Sequence, residues 1–181
     1  MTSGTQQLPS FTYFQDPVGN GCIVQKQDTC PCCSEQRSHM YVGPIYTTAD
    51  VEMACPWCIA DGTAAAKWSA RFNDVDNAPP GVSKQTVLEI ETRTPGYSSW
   101  QGNIWLFSQT DAMVFLGEVH GGELLQEGNA EKVEACLKAL RDWNLDWPAE
   151  DLKRVLPGDQ PAIYLFQDRT TAAFDAYADM T

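Results

Sequence analysis

The clearest periodicity in the chain lies in residues 130–143, where apolar side chains recur at spacings of three, four and seven. This is the period of an amphipathic α-helix. A second helix is predicted over residues 83–92, because Ser83 is a suitable N-cap and Thr-Pro-Gly follows the last apolar turn. The apolar positions of the first helix are Val133, Cys136, Leu137 and Leu140.

Runs of β-branched and aromatic residues, separated by turn residues, predict short antiparallel strands in other parts of the chain. The predicted strands are residues 103–107 and 112–119, which flank a polar turn, residues 162–166 and 173–177, which form a terminal hairpin, and two short strands around a Gly-Pro turn in residues 40–46. Helices and antiparallel strands together predict an α+β fold.

Proline, glycine and alanine mark the remaining segments. Residues 1–29 contain scattered Pro and Gly, which predict an irregular lead-in. The alanine-rich stretch 59–72 predicts a helix. Thr47 is a suitable cap for a short helix through residue 50, and Pro148 suits the first turn of a helix ending at residue 156.

The cysteine spacing predicts a metal site. Six of the seven cysteines fall within residues 22–58, and the stretches 30–33 and 55–58 each contain a C-x₂-C pair, with 21 residues between them. Two such pairs at this separation are typical of a structural zinc site, in which four thiolates complete a tetrahedron and leave no open position. The predicted ligands of one structural Zn²⁺ are Cys30, Cys33, Cys55 and Cys58.

Two ligand alternatives stay open. Cys32 competes with Cys30, although adjacent Cys32 and Cys33 cannot form the same chelating turn. His39 is an alternative to one of the thiolates, but a surface or hairpin position is favoured. Cys22 and Cys136 are interpreted as packing residues.

The order of a cysteine knuckle, a hairpin and a knuckle at the start of a helix is typical of a treble-clef module. We therefore predict an α+β fold in which a treble-clef-like zinc module with four cysteine ligands precedes a small body with short antiparallel strands. The predicted single globular unit consists of the lead-in 1–29, the zinc module 30–72 and the α+β body 73–181.

Charge narrows the classes of partner. The chain has 181 residues, with 12 Lys and Arg against 24 Asp and Glu, which gives a formal net charge of −12. An acidic surface disfavours binding to nucleic acid and favours binding to a basic protein. No apolar run approaches the roughly 18 residues of a membrane span, and residues 1–10 lack the features of a secretory signal. The sequence thus predicts a cytoplasmic protein that binds neither membranes nor nucleic acid.

Several stretches carry a family likeness. They are Gly-Pro-Ile-Tyr at 43–46, Cys-Pro-Trp-Cys-Ile-Ala-Asp-Gly-Thr-Ala-Ala at 55–65, Arg-Thr-Pro-Gly-Tyr-Ser-Ser-Trp-Gln at 93–101, Phe-Leu-Gly at 115–117 and Tyr-Leu-Phe at 164–166. On these residues the chain resembles the CbrC family over nearly its whole length.

The resemblance implies a bacterial protein associated with tolerance to nuclease colicins. Members of that family also carry a second candidate metal group, made of a His-Cys pair and a Cys-x-His-Cys motif. This chain has Ser108 and Gln109 at the first place, and Asp168, Thr170 and Thr171 at the second. The resemblance therefore implies a single metal site here, formed by the four cysteines.

These features predict a non-enzymatic, zinc-stabilised protein that neutralises a basic, nuclease-type toxin, in the manner of an immunity protein. The alternative is a zinc-binding regulatory or stress-response module without a toxin partner. A third interpretation is a hydrolase or transferase acting around His120, although no phosphate loop, dinucleotide fingerprint or serine elbow is present. Among the tryptophans, Trp100, together with Tyr97, is the better candidate for an exposed contact.

Overall fold

The central strand of the larger sheet is buried over residues 162–166. The computed structural model describes residues 6–180, and in it β4 (Ala162–Gln167) lies between β3 (Val114–Glu118) and β5 (Phe174–Asp179). Both pairings are antiparallel, with Phe115 opposite Phe166. Two of the predicted strands, 162–166 and 173–177, thus form the predicted hairpin, and 112–119 supplies the third strand.

Because side chains alternate along a strand, β4 contributes to two apolar clusters. Ile163 and Leu165 pack with Cys136 and Leu140 of α5 (Ala130–Arg141). This helix confirms the periodicity of residues 130–143. Tyr164 and Phe166 point to the opposite face and join the larger cluster.

Aromatic rings fill the larger cluster. Tyr97 stacks on Phe115 with ring centroids 4.3 Å apart and an interplanar angle of 15°. Trp105 is fully buried, and its Nε1 donates a hydrogen bond of 2.9 Å to the Met113 carbonyl. Because its one polar atom is satisfied, Trp105 contributes its whole ring to the core at no polar penalty.

The smaller sheet is a hairpin of β1 (Ile23–Thr29) and β2 (Gln36–Tyr41). The sequence predicts an irregular segment over residues 1–29, but residues 23–29 form the strand β1. The Pro and Gly residues that indicate irregularity precede this strand and do not interrupt it. At the end of β2, Tyr41 packs edge-to-face on Phe72 with centroids 5.7 Å apart. The hairpin and the aromatic core therefore belong to one apolar cluster. The division at residues 30 and 73 stays a prediction.

Short helices connect the two sheets. Residues predicted as one helix form two, α1 (Pro56–Ala60) and α2 (Thr63–Trp68). Gly62 between them has φ +81°, a left-handed conformation that ends α1. α3 (Lys84–Arg93) confirms the second predicted helix, and its Ser83 cap accepts a hydrogen bond from the Thr86 N–H.

One helix, α4 (Gly121–Glu127), is not predicted from the sequence, because it begins with two adjacent glycines, which disfavour helices. A Cβ atom on Gly121 would lie 1.7 Å from the Leu152 carbonyl oxygen, so glycine permits this helix to pack against the next element. That element, predicted as an α-helix over residues 148–156, is a 3₁₀ helix at Ala149–Arg154.

Three further predictions are wrong. Residues 47–50 contain no helix, because the Thr47 hydroxyl accepts from the Ala49 N–H and donates to the Trp68 carbonyl. Residues 40–46 are not a hairpin, since Met40 and Tyr41 pair with β1. Residues 103–107 make isolated bridges, Ile104 with Asp74 and Phe107 with Ala112, and not a strand. No helix among residues 6–180 is long and apolar enough to cross a membrane.

A matched pair of tryptophan substitutions tests this assignment of the core. Trp105→Ala should lower the free energy of unfolding by about 3–5 kcal/mol, because it opens a cavity in a fully buried cluster. Trp100→Ala, at a side chain 51% exposed, should change it by less than about 0.5 kcal/mol. Urea unfolding measures both values, and equal losses would contradict the assignment.

Candidate metal centre

The first cysteine pair lies at the tip of the β1–β2 hairpin. The Cys30 N–H donates to the Glu35 carbonyl at 2.9 Å, and the Ser34 N–H donates to the Cys30 carbonyl at 2.8 Å. Ser34 has φ +62°, which tightens the turn. These constraints close the loop so that the Cys30 and Cys33 sulfurs lie on the same side of it.

The second pair begins helix α1. Tyr41 and Ala54 exchange backbone hydrogen bonds, so the chain arrives at Cys55 beside the end of β2. Cys55 is the N-cap, Pro56 takes the first helical position, and the Cys58 N–H donates to the Cys55 carbonyl at 3.1 Å. One helical turn therefore brings both sulfurs of this pair to the same side.

The four predicted ligands meet in space. Their Sγ atoms all lie within 4.8 Å of one another, with Cys33 to Cys55 at 3.9 Å and Cys55 to Cys58 at 3.4 Å. A tetrahedron with Zn–S bonds of about 2.3 Å has edges of about 3.8 Å, so the spacing fits four thiolates around one ion. Such a cluster of soft sulfur donors can hold a metal ion.

The backbone around the cluster distinguishes Cys30 from Cys32. The Cys55 N–H donates to the Cys30 sulfur at 3.2 Å, and the Cys32 N–H donates to the same sulfur at 3.4 Å. The four-sulfur group contains Cys30 and not Cys32. Cys32 thus supports the site through its amide, while its buried side chain packs in the core.

Two cations lie against the cluster. The Arg37 guanidinium donates to the Cys33 sulfur at 3.8 Å and lies over the Trp57 ring, 5.1 Å from its centroid. Lys67 Nζ donates to the Pro31 and Cys32 carbonyls at 2.8 and 2.7 Å. Four thiolates around a divalent ion would carry a net charge of about −2, which Arg37 would offset in part, while Lys67 holds the carbonyls of the hairpin tip. Neither residue is predicted from the sequence, because no spacing rule connects them to the cysteines.

The thiol pKa values differ among the cysteines of the cluster. Burial raises the pKa of the Cys55 thiol to about 12 and also raises the pKa of Cys58. At Cys33, burial also acts to raise the pKa, but hydrogen bonds from the Glu35 backbone and Arg37 outweigh it and lower the pKa to about 7. A bound cation favours the thiolate at every position, so metal binding would release protons from this cluster.

The remaining candidates lie outside the cluster. His39 faces Gln25 across the β1–β2 pair, and Cys22 and Cys136 are buried, as predicted for packing residues. His120 caps α4, where its Nδ1 accepts from the Glu123 N–H at 3.4 Å. This contact gives the histidine a role in starting a helix.

Ser108 and Asp168, two positions at which this chain lacks the histidine and cysteine motifs of the second candidate metal group, lie in hydrogen-bonded turns. Asp168 Oδ1 accepts from the Thr170 and Thr171 N–H groups at 2.7 and 2.8 Å. The Ser108 hydroxyl donates to the Asp111 carbonyl. In this chain these two side chains stabilise the backbone of two loops by hydrogen bonds.

Comparison with known proteins places the chain among uncharacterised relatives. The model of an uncharacterised protein family, UPF0167, matches residues 8–180. A UPF0167 protein of Mycobacterium tuberculosis is 38% identical over 184 residues, which cover 98% of this chain and 96% of the relative. A UPF0167 protein of Pseudomonas aeruginosa is 39% identical over 166 residues, covering 88% and 89% of the two chains. No solved structure matches the chain.

Two adjacent cysteines provide a matched test of the site. Cys30→Ser should abolish metal binding, because it removes a donor from the four-sulfur group. Cys32→Ser should retain about one metal ion per chain. Elemental analysis and the thiolate charge-transfer absorbance of the Co²⁺-substituted protein measure both. Loss of metal from Cys32→Ser with retention in Cys30→Ser would contradict the assignment.

Proposed function

The chain belongs to the UPF0167 family, and from its own site we propose that it is a zinc-stabilised binding protein and not an enzyme. The observation that carries this proposal is the approach of four cysteine sulfurs to within 4.8 Å of one another. Four sulfur donors complete the tetrahedral coordination that Zn²⁺ prefers, and no position remains for a water or substrate. The ion would act by fixing the hairpin against α1.

We further propose that the binding partner is a basic protein of the nuclease-toxin type, and that the protein acts in the cytoplasm. The net charge of −12 supports a basic partner, because opposite charge steers association. A toxin that binds DNA through Lys and Arg offers a surface that an acidic inhibitor can occupy. The resemblance to the CbrC family, with its link to colicin tolerance, supports the toxin class.

Zinc content and its effect on folding test the metal proposal. The purified protein should contain about one zinc per chain, and a chelator should lower Tm, because a ligand that binds only the folded state stabilises it. The Cys32→Ser variant, with its four-sulfur group intact, is the control for a general effect of cysteine loss. A metal-free protein that keeps its Tm in the presence of chelator would contradict the proposal.

Isolation of the partner tests the binding proposal. The zinc-loaded chain should capture a basic nuclease domain from its native host, with a Kd of about 1 nM at low salt and a weaker Kd at high salt. Stoichiometric addition should then inhibit that nuclease. Failure to bind any such nuclease would overturn the toxin proposal, and an activity lost in His120→Ala would favour an enzyme. A metal-dependent regulatory interaction without a toxin would favour the alternative module.

A further inference from the structure

Exposed apolar side chains gather around one loop. Trp100 is 51% exposed, Val42 45% and Tyr46 41%. Three clefts of about 180, 270 and 310 Å³ adjoin here, because one of them shares Tyr46 with the second and Ser98 and Ser99 with the third. We call this region the Trp100 surface. It consists of Val42, Tyr46, Asp74, Asp76, Trp100 and Glu118.

The fold holds the two aromatic residues of this surface in place. Asp179 is fully buried, and its Oδ2 accepts from the Trp100 and Gln101 N–H groups at 2.7 and 2.9 Å. The Tyr46 hydroxyl donates to Asn103 Oδ1 at 2.6 Å. Exposed rings on a fixed backbone bind with little loss of conformational entropy, which is the usual property of an interface hot spot.

Carboxylates line the same clefts as these rings. Asp74 and Asp76 are exposed and line one cleft with Tyr46, and Glu118 lines another with Trp100. Arg71 lies in the first cleft but forms an ion pair with Glu91 at 3.6 Å. The charge of the surface is therefore negative, in agreement with the net charge of the chain.

Other aromatic rings of this protein are already covered by cations. Arg37 lies over Trp57, Lys67 over Trp68, Lys132 over Phe174 and Arg169 over Tyr13, at 5.1 to 5.8 Å from the ring centroids. In the part of the chain from 6 to 180, no Lys or Arg lies over the ring of Trp100 or Tyr46. Their faces are thus available to a cation from another molecule.

From these observations we propose that the Trp100 surface binds an arginine-bearing segment of a basic partner protein. A guanidinium would stack on Trp100 while its N–H groups donate to the carboxylate of Glu118, and a second would pair with Asp74 or Asp76 beside Tyr46. Arginine fits better than lysine, because a planar guanidinium stacks and donates at the same time. This inference rests on the proposed basic partner and specifies where that partner binds.

A titration on the full, metal-loaded chain tests the surface directly. The six tryptophans are labelled with 5-fluorotryptophan, the Trp100 signal is assigned with Trp100→Phe, and a hexa-arginine peptide is added. The Trp100 ¹⁹F signal should shift most and saturate. Trp100→Leu, which keeps an apolar side chain but removes the ring, should weaken binding roughly tenfold, and Glu118→Gln roughly threefold.

Two control variants test whether peptide binding depends on the Trp100 surface. Leu88→Ala changes a side chain that is 53% exposed but lines a separate cleft, and Asp142→Asn removes an exposed carboxylate at the end of α5. Both should alter the peptide Kd by less than about twofold. An unmoved Trp100 signal, equal binding of hexaglutamate, or equal losses in Trp100→Leu and Leu88→Ala would overturn the proposal.

The same variants separate this inference from the proposed function. If the isolated basic partner binds Trp100→Leu as tightly as the unmodified chain, the proposed function stands and the Trp100 surface is wrong as its site. If the peptide binds through Trp100 but no toxin partner is found, the surface stands as a cation-binding site and the toxin proposal fails.

Discussion

Four sulfurs crowded into a mostly buried site are the constraint on which the N-terminal half depends. Four thiolates at this spacing repel one another, and a divalent cation would remove that repulsion. The two cysteine pairs come from a hairpin tip and a helix start, so holding them together fixes the angle between these two elements. Arg37, which donates to the Cys33 sulfur, would offset part of the remaining negative charge.

The apolar core continues from this site to the larger sheet. Cys30, Cys55 and Cys58 belong to the same buried cluster as Tyr97, Trp105 and Phe166. The Tyr41 hydroxyl, at the end of β2, donates to the Pro44 carbonyl at 2.7 Å and accepts from the Gly96 N–H at 3.1 Å. The loop that carries Trp100 is therefore fixed near its start by the hairpin and near its end by Asp179. The four-cysteine cluster, the core and the exposed loop form one packed structure.

Sequence patterns predicted the elements that depend on neighbouring residues and failed for the elements that depend on contacts with distant parts of the chain. The helix of residues 130–143 has a clear period, and it appears as α5. The hairpin at 40–46 was predicted from a Gly-Pro turn, but Tyr41 pairs with Ile23 because that register buries both side chains. α4 contains two glycines that disfavour a helix, and its close approach to Leu152 explains why glycine is present. Neither contact has a signature in the neighbouring sequence.

The sequence alone determined the α+β class and placed a four-cysteine site at residues 30–33 and 55–58, because C-x₂-C spacing is a local property that chelation requires. Only the tertiary structure decided between Cys30 and Cys32 as members of the sulfur group, since that choice depends on how the hairpin tip meets Cys55. It also separated Tyr97 from Trp100, two residues of one predicted contact. Tyr97 is fully buried among aromatic rings, whereas Trp100 is held at the surface by a carboxylate 79 residues away in the chain.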